Sequence, residues 1–384
     1  MASSSAAGPR SAREQLIGAP LQVKLDRATA STEVQAWLAD AVPGLASELG
    51  EQSTVTDLLQ RWQLLSALGR TDLVLARLLE GHLDALAILA EAGRPAVPGA
   101  LYGVWASASG GTGLSLSAPS DEGASGAVLS GTMRFCSGAE LVDRALVTAR
   151  DASGALLLFD IGVRTARLRS IPGTWPALGM DASQSLDIKV DDLAVDATAM
   201  VGPPGFYLER SGLHLGGVGV AAVWLGGLQG LLDTTLRVLG DRQPDEHGLA
   251  HIGAVSVGLE SAAATLLIAA QHLGGATVSP DTGLAAVPLA ELARIALVCR
   301  SSVESAVGVG THRLPRVVGP VALCRDGDFA HRLADLEVFV RQHHAERDLA
   351  MLGAAEFAEP WTDGPAAERG WRFAGKPPGN GTES

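Results

Sequence analysis

Leu129-Ser-Gly-Thr-Met-Arg-Phe-Cys-Ser-Gly-Ala-Glu-Leu-Val-Asp-Arg-Ala-Leu-Val-Thr-Ala-Arg150 carries the strongest structural signal in the chain. A β-prone run reaches Phe135. Four small or short residues, Cys136-Ser-Gly-Ala139, form a hinge. A second run then ends in Ala145-Leu-Val-Thr-Ala149. Two apolar runs joined through small turn residues read as paired strands.

Upstream the period changes. Leu58, Leu59, Trp62, Leu64, Leu65 and Leu68 recur at helical spacing, and Leu75, Leu78, Leu79, Leu83, Leu86 and Leu89 do so again. Glu33, Trp37, Leu38 and Val42 open the same helical region, and Pro95 and Pro98 close it. Further short β-prone runs flank the opening stretch at Leu114–Ser117, Ala127–Leu129, Leu141–Thr148, Leu156–Ile161 and Leu186–Val190. Downstream, helices are expected over Leu213–Leu239, Ile252–Leu273, Leu284–Gly308 and Asp328–Gly353.

The expected fold class is therefore α+β and multi-domain. A tail over 1–28 precedes an N-terminal helical domain over 29–98. A middle β-barrel or β-sandwich domain spans 99–202, a C-terminal four-helix bundle 203–355, and a polar tail 356–384. Helices and strands are grouped rather than alternating, which argues against a doubly wound nucleotide fold. Neither GxGxxG after a strand nor GxxxxGK[ST] occurs.

Composition narrows the function. The formal net charge is −13 and no run of Lys or Arg makes a basic stripe, so nucleic acid is an unsuitable partner. Cys136, Cys299 and Cys324 are far apart and show no metal spacing, so no metal is expected. They read as reduced thiols of a cytoplasmic protein. No run reaches the roughly 18 uninterrupted apolar residues of a membrane span. Gly216–Leu232 comes nearest and, being glycine-rich, reads as a buried helix.

The opening stretch resembles the flavin-facing β segment of the acyl-CoA dehydrogenase superfamily. The resemblance covers about Asp72 to Gly353 and rests on a series of stations. Leu101-Tyr-Gly-Val-Trp-Ala-Ser107, followed by Gly110-Gly-Thr-Gly113, matches a strand and small-residue loop near the cofactor. Phe135 and Ser137 fall on the aromatic and hydroxyl positions. Trp175-Pro-Ala-Leu-Gly-Met180 and Val201-Gly-Pro-Pro-Gly-Phe206 match two further loops, with Asp181 where arginine is usual.

The resemblance implies a flavin-dependent oxidoreductase that carries out α,β-dehydrogenation of an acyl thioester or related acyl substrate. FAD is the implied cofactor, with FMN as the alternative. The implied cofactor-binding residues are Trp105, Ser107, Phe135, Ser137, Arg242, Gly308 and Gly310. Ser137 would donate to the N5 edge of the ring, with nearby backbone N–H groups helping. Arg242 would reach the FAD pyrophosphate across a subunit boundary, with Asp245 and Glu246 replacing the usual Phe-Gly. A homodimer or homotetramer follows from the family, and an electron-transfer partner or flavin reductase is a further implied partner.

The departures lie at the base. Gly216 and Ala334 occupy the two positions where the family keeps its catalytic glutamate, and Gly217 stands where an arginine is usual. Asp335 is the candidate relocated base, with Glu209 also near in register. His343, or its neighbour His344, is the candidate for a flavin-dependent monooxygenase of the same fold. A non-catalytic subunit of a heteromeric complex is the remaining alternative.

Overall fold

The computed structural model describes residues 11–17, 19–20, 58–106, 113–118, 126–274, 278–279, 283–284 and 287–358. The helix expected around Glu33–Val42, Ser107, and Gly110–Thr112 lie outside the described residues.

A short helix α1 (Ala12–Leu16) falls inside the segment read as a tail. Ser11 and Glu14 form a capping box at its start, and Leu16 and Ile17 are buried. Helices α2 (Leu58–Thr71) and α3 (Leu73–Glu91) follow. Asp72 separates them and caps α3 by accepting from Leu75 N.

The middle region is one mixed sheet: β1 (Tyr102–Trp105), β2 (Gly113–Ser117), β3 (Ala127–Cys136), β4 (Arg144–Arg150), β5 (Leu156–Gly162), β6 (Leu168–Ile171) and β7 (Leu186–Val195). The pairing order is β1-β4-β2-β3-β7-β6, with β5 also on β4. Both β1 and β2 run parallel to β4, while the other pairs are antiparallel. The expected barrel or sandwich is thus a single branched sheet among the described residues. The branch arises because β1 pairs with the first half of β4 and β2 with its end.

After a short α4 (Phe206–Glu209) come three long helices, α5 (Gly212–Leu239), α6 (Glu246–Gly274) and α7 (Leu289–Val318). Then follow α8 (Pro320–Arg325), α9 (Gly327–Phe339) and α10 (Glu346–Ala358). The helix expected over Asp328–Gly353 is therefore two helices, α9 and α10, and His343 and His344 sit between them. His343 has extended backbone (φ −77°, ψ 130°), and Asp348 holds the turn by accepting from His344 N.

Helix α5 is the central post. Trp224, Leu225, Leu228 and Leu231 are fully buried. Its glycines let helices touch at the backbone: a Cβ on Gly226 would lie 1.9 Å from Ser66 O, and one on Gly69 would lie 2.1 Å from Val223 O. The reading of Gly216–Leu232 as a buried helix matches this role.

Candidate functional site

Two loops meet at the Cys136–Ala139 hinge. Residues 135–139 leave β3 at a register shift between Met133 and Cys136. Residues 179–185 lead into β7. Gly138 N donates to Ser183 O (2.8 Å) and Ala139 N to Gln184 O (3.3 Å). Phe135, Met180 and Gln184 all take positive φ (57°, 58° and 45°), a conformation non-glycine residues rarely hold. Three such residues in two touching loops mark a place where backbone strain is held by its surroundings.

Phe135 is 50% exposed and stands edge-on to Trp175, with centroids 6.3 Å apart and ring planes at 80°. Below it a row of hydroxyls runs inward. Ser137 Oγ lies 2.9 Å from Ser185 Oγ, Ser185 Oγ lies 2.9 Å from Ser183 Oγ, and Ser183 Oγ donates to Met180 O at 2.6 Å. Ser137 is half-buried, while Ser183 and Ser185 are buried. Gln184 Oε1 is a buried acceptor without a hydrogen-bond partner.

Trp105 does not face this corner. It is buried, and its Nε1 donates to Ser137 O (3.0 Å), so it supports the loop from beneath. The backbone N–H groups expected to serve a ligand are already engaged: Ser137 N with Phe135 O, Gly138 N with Ser183 O, and Ala139 N with Gln184 O.

Asp335 is not available as a base. It is 1% exposed and its Oδ1 accepts from Met180 N at 2.7 Å. Beside it, a Cβ on Gly179 would lie 2.0 Å from Ala334 O, so α9 docks directly on the loop. Asp335 ties the C-terminal helices to the strained turn. Glu209 is exposed and folds toward its own loop at Gly205.

His343 is also committed. Its Nδ1 accepts from Ala345 N (3.1 Å), which leaves the proton on Nε2, 3.0 Å from Ser301 Oγ. Asp348 approaches the same Nε2 at 3.8 Å. Serine and carboxylate on one nitrogen cannot form the relay of a hydrolytic triad, which uses both ring nitrogens. Burial lowers the pKa of His343, in keeping with a neutral ring. His344 bonds Asp348 at 3.2 Å.

The remaining expected residues are scattered. Arg242 is exposed in the turn after α5. Asp245 accepts from Gly248 N (2.8 Å) and so caps the start of α6, which explains a carboxylate there without any ligand. Gly310 serves packing, since a Cβ on it would lie 2.2 Å from Leu228 Cδ1. Gly308 is exposed on the open side of α7.

A second cluster was missed by sequence reasoning. Arg77, Glu80, Asp84 and Glu91 form a charged stripe on the otherwise leucine-rich α3. Arg77 pairs with Glu80, and the buried Arg210 pairs with Glu91 (3.0 Å) and Asp84 (3.5 Å). Burial raises the pKa of both Glu80 and Glu91, against the pull of their arginines. Helix α5 meets this stripe with glycines. A Cβ on Gly216 would lie 2.9 Å from Asp84 Oδ1, and one on Gly217 would lie 3.6 Å from Arg300 Cδ.

Arg300 comes from α7, donates to Gly217 O and Gln342 O (2.8 Å each), and stacks over Trp224 at 4.8 Å. Asp84 of α3 and Arg300 of α7 therefore bring a carboxylate and a guanidinium against the α5 glycines 216 and 217. Helix α3 also reaches the hydroxyl row, because a Cβ on Gly138 would lie 3.0 Å from Leu78 Cδ2. The signal in the sequence was a helical stripe of charge in an apolar helix, opposite small residues.

No protein-family model and no curated protein matches the chain. Solved structures do. The dibenzothiophene monooxygenase TdsC of Paenibacillus sp. A11-2 superposes with TM-score 0.69 at 18% identity, over 88% of this chain and 95% of that one. The methanesulfinate monooxygenase MsuC of Pseudomonas fluorescens gives TM-score 0.69 at 17% identity, over 88% and 98%. KijD3, solved with FMN and a dTDP-linked amino-keto sugar, gives TM-score 0.67 at 22% identity, over 88% and 91%.

The chain has the acyl-CoA dehydrogenase fold. Within that fold, the helix–sheet–helix order expected from the sequence is present. The acyl-CoA dehydrogenase fold also frames the two clusters: the aromatic and hydroxyl corner on the sheet, and the charged stripe between α3, α5 and α7. Among the described residues, no group of three His, Cys, Asp or Glu side chains is arranged to hold a metal ion.

Proposed function

We propose that this chain is a flavin-dependent oxidoreductase acting on a small molecule, with the flavin ring seated against Phe135, Trp175 and Ser137. The observation that carries the reading is the aromatic corner. Phe135 is half-exposed on a strained bulge, edge-on to Trp175 and beside a row of hydroxyls. A large exposed aromatic held by strain is a feature that packing alone does not require. These residues fit a planar ring with polar edges, and the buried, unpartnered Gln184 Oε1 nearby is an acceptor for a ligand donor. A flavin, when bound, supplies two-electron redox chemistry.

FMN is proposed ahead of FAD, because TdsC and KijD3 were solved with FMN. Arg242 and Gly308, both exposed, keep a proposed cofactor role only through a neighbouring subunit, whereas Gly310 is taken up by its packing on Leu228. We propose a homo-oligomer.

For the reaction we propose α,β-dehydrogenation of an acyl thioester or related acyl substrate, with Asp84 as the base. Proton removal beside a carbonyl needs a carboxylate in reach of the substrate. Asp335 is engaged with Met180 N, whereas Asp84 presents its carboxylate at the glycine step 216–217 of α5. Arg210 at 3.5 Å and Arg300 near Gly217 would orient the substrate carbonyl and its anionic groups.

A second reading, monooxygenation with reduced flavin and oxygen, is favoured by the engagement of Asp335 and by the monooxygenases TdsC and MsuC among similar structures. It needs no base at Gly216 or Ala334.

Purified protein titrated with FMN and with FAD tests the cofactor directly, by quenching of flavin fluorescence. Anaerobic bleaching of the bound flavin by acyl-CoA supports dehydrogenation. Product formation only with a flavin reductase and oxygen supports monooxygenation. Failure of both flavins to bind overturns both readings.

A further inference from the structure

Hydrogen counting along the serine row gives the direction of every proton in it. Ser183 Oγ lies 2.6 Å from Met180 O. Two oxygens approach that closely only with a hydrogen between them, and a carbonyl has none to give. The Ser183 proton therefore points at Met180 O. A hydroxyl has one proton, so Ser183 must accept in its 2.9 Å contact with Ser185, and the Ser185 proton points at Ser183. The same step at the 2.9 Å contact between Ser185 and Ser137 directs the Ser137 proton inward. Chains of this kind reinforce their own polarity.

Ser137, the half-buried end of the row, is left with lone pairs only on its outer side. The backbone N–H groups of Ser137, Gly138 and Ala139 have internal acceptors, so they do not offset this. Gln184 Oε1 adds another acceptor without a partner. The donor role expected for Ser137 is reversed.

We propose that Ser183 and Ser185 act as positioning residues that set Ser137 as a hydrogen-bond acceptor, so that this corner selects a ligand that presents an N–H. The inference rests on the flavin reading above. For a flavin it sets a redox preference: the ring nitrogen at its central edge is a lone-pair acceptor when oxidised and an N–H donor when reduced by two electrons. Ser137 then matches the reduced form and opposes the oxidised one. The preference suits either reaction, since it makes the bound oxidised ring a stronger acceptor and makes the reduced ring the better ligand.

The test is binding, not turnover. Dissociation constants for oxidised FMN and for dithionite-reduced FMN are measured anaerobically on the full chain and on Ser183→Ala and Ser137→Ala. The wild-type chain should bind reduced FMN about tenfold more tightly, one hydrogen bond gained against one repulsive contact. For a two-electron couple that ratio raises the potential of bound FMN by about 30 mV. In Ser183→Ala the Ser185 proton is free to turn toward Ser137, releasing the Ser137 proton outward, and the preference should fall toward parity. Ser137→Ala removes the acceptor at a half-buried position, should also lose the preference, and stands in if Ser183→Ala does not fold. Equal or tighter binding of oxidised FMN by the wild type, or an unchanged ratio in the variants that fold, overturns the inference while leaving the flavin reading intact. Binding of neither form overturns the flavin reading and the inference with it.

Discussion

Asp84 is the residue on which the proposed dehydrogenation turns. Its carboxylate stands where a side chain on Gly216 would be, so the two positions are alternatives for one charge. Asp84→Asn should lower turnover of an acyl substrate by about 10²–10⁴-fold, the range of a lost general base, with FMN affinity retained. Asp84→Ala combined with Gly216→Glu should recover part of that loss, since the second change returns a carboxylate to the same place from α5. Steady-state kinetics on these two variants beside the wild type decide it, and full activity in Asp84→Asn rules the role out. His82 carries a separate prediction. It is buried, its Nδ1 accepts from Tyr102 N at 3.1 Å, and burial pushes its pKa down to about 4. A pKa lower in the folded chain than in the unfolded one gives stability that is present above about pH 6.5 and lost as pH falls toward 4. The loss from this one residue is about 3 kcal/mol. His82→Asn keeps an acceptor for Tyr102 N and removes the titration. Urea denaturation at pH 7 and pH 4.5 should show a smaller acid loss in that variant, and an equal loss would refute the assignment.

At the scale of elements, the close approach of α2 and α5 invites a direct test. Neither Gly226 nor Gly69 can carry a methyl without moving a backbone carbonyl of the other helix. Gly226→Ala should lower stability by at least about 1–3 kcal/mol despite its better helix propensity, because overpacking outweighs a propensity gain of about 1 kcal/mol. Thermal denaturation beside Gly253→Ala, where a Cβ meets open space, separates the two effects: the second variant should be neutral or stabilised. The elements themselves were legible because helical and strand periods are local. Leu75, Leu78, Leu79 and Leu83 announced α3, and the runs at 156–161 and 186–190 announced β5 and β7. The break between α9 and α10 was not legible, because it is held by the contacts of His343 and His344 with Ala345, Ser301 and Asp348 rather than by glycine or proline. The site was legible in part for the same reason. Phe135 and Ser137 sit within a few residues of each other in the chain and could be read together. Asp84 lies on α3, Arg210 in the link between α4 and α5, and Arg300 on α7, and they come to Gly216 and Gly217 only when the chain packs.

At the scale of the whole molecule, the apolar face of α6 needs an account. Among the described residues, two helices are long and apolar enough to cross a membrane, but they differ in setting. The apolar window of α5 is 83% buried inside the chain, so α5 is a core helix, whereas that of α6 is only 39% buried. Leu249 and Val257 on α6 are 55% and 66% exposed, and the backbone at Gly253 between them is open. Leu249, Gly253 and Val257 follow one another at four-residue steps along one face of the helix. An exposed apolar strip of this kind is characteristic of an interface. The charged residues Glu246 and Glu260 flank the strip, which suits a partner in water better than lipid. A second copy of the chain is the occupant proposed here, and the exposed Arg242, in the turn just before α6, would then lie beside the joint. The mass of the purified chain by light scattering should be a multiple of the 39.4 kDa monomer. Leu249→Asp with Val257→Asp should shift it toward the monomer, because a charge buried without a partner in an interface is strongly unfavourable. If Arg242 reaches a cofactor across that joint, the same double variant should also weaken FMN binding, while Arg242→Ala should weaken binding and leave the mass unchanged. A wild-type chain that is monomeric at micromolar concentration, or one recovered with membranes, would contradict the assignment of this face to a second copy.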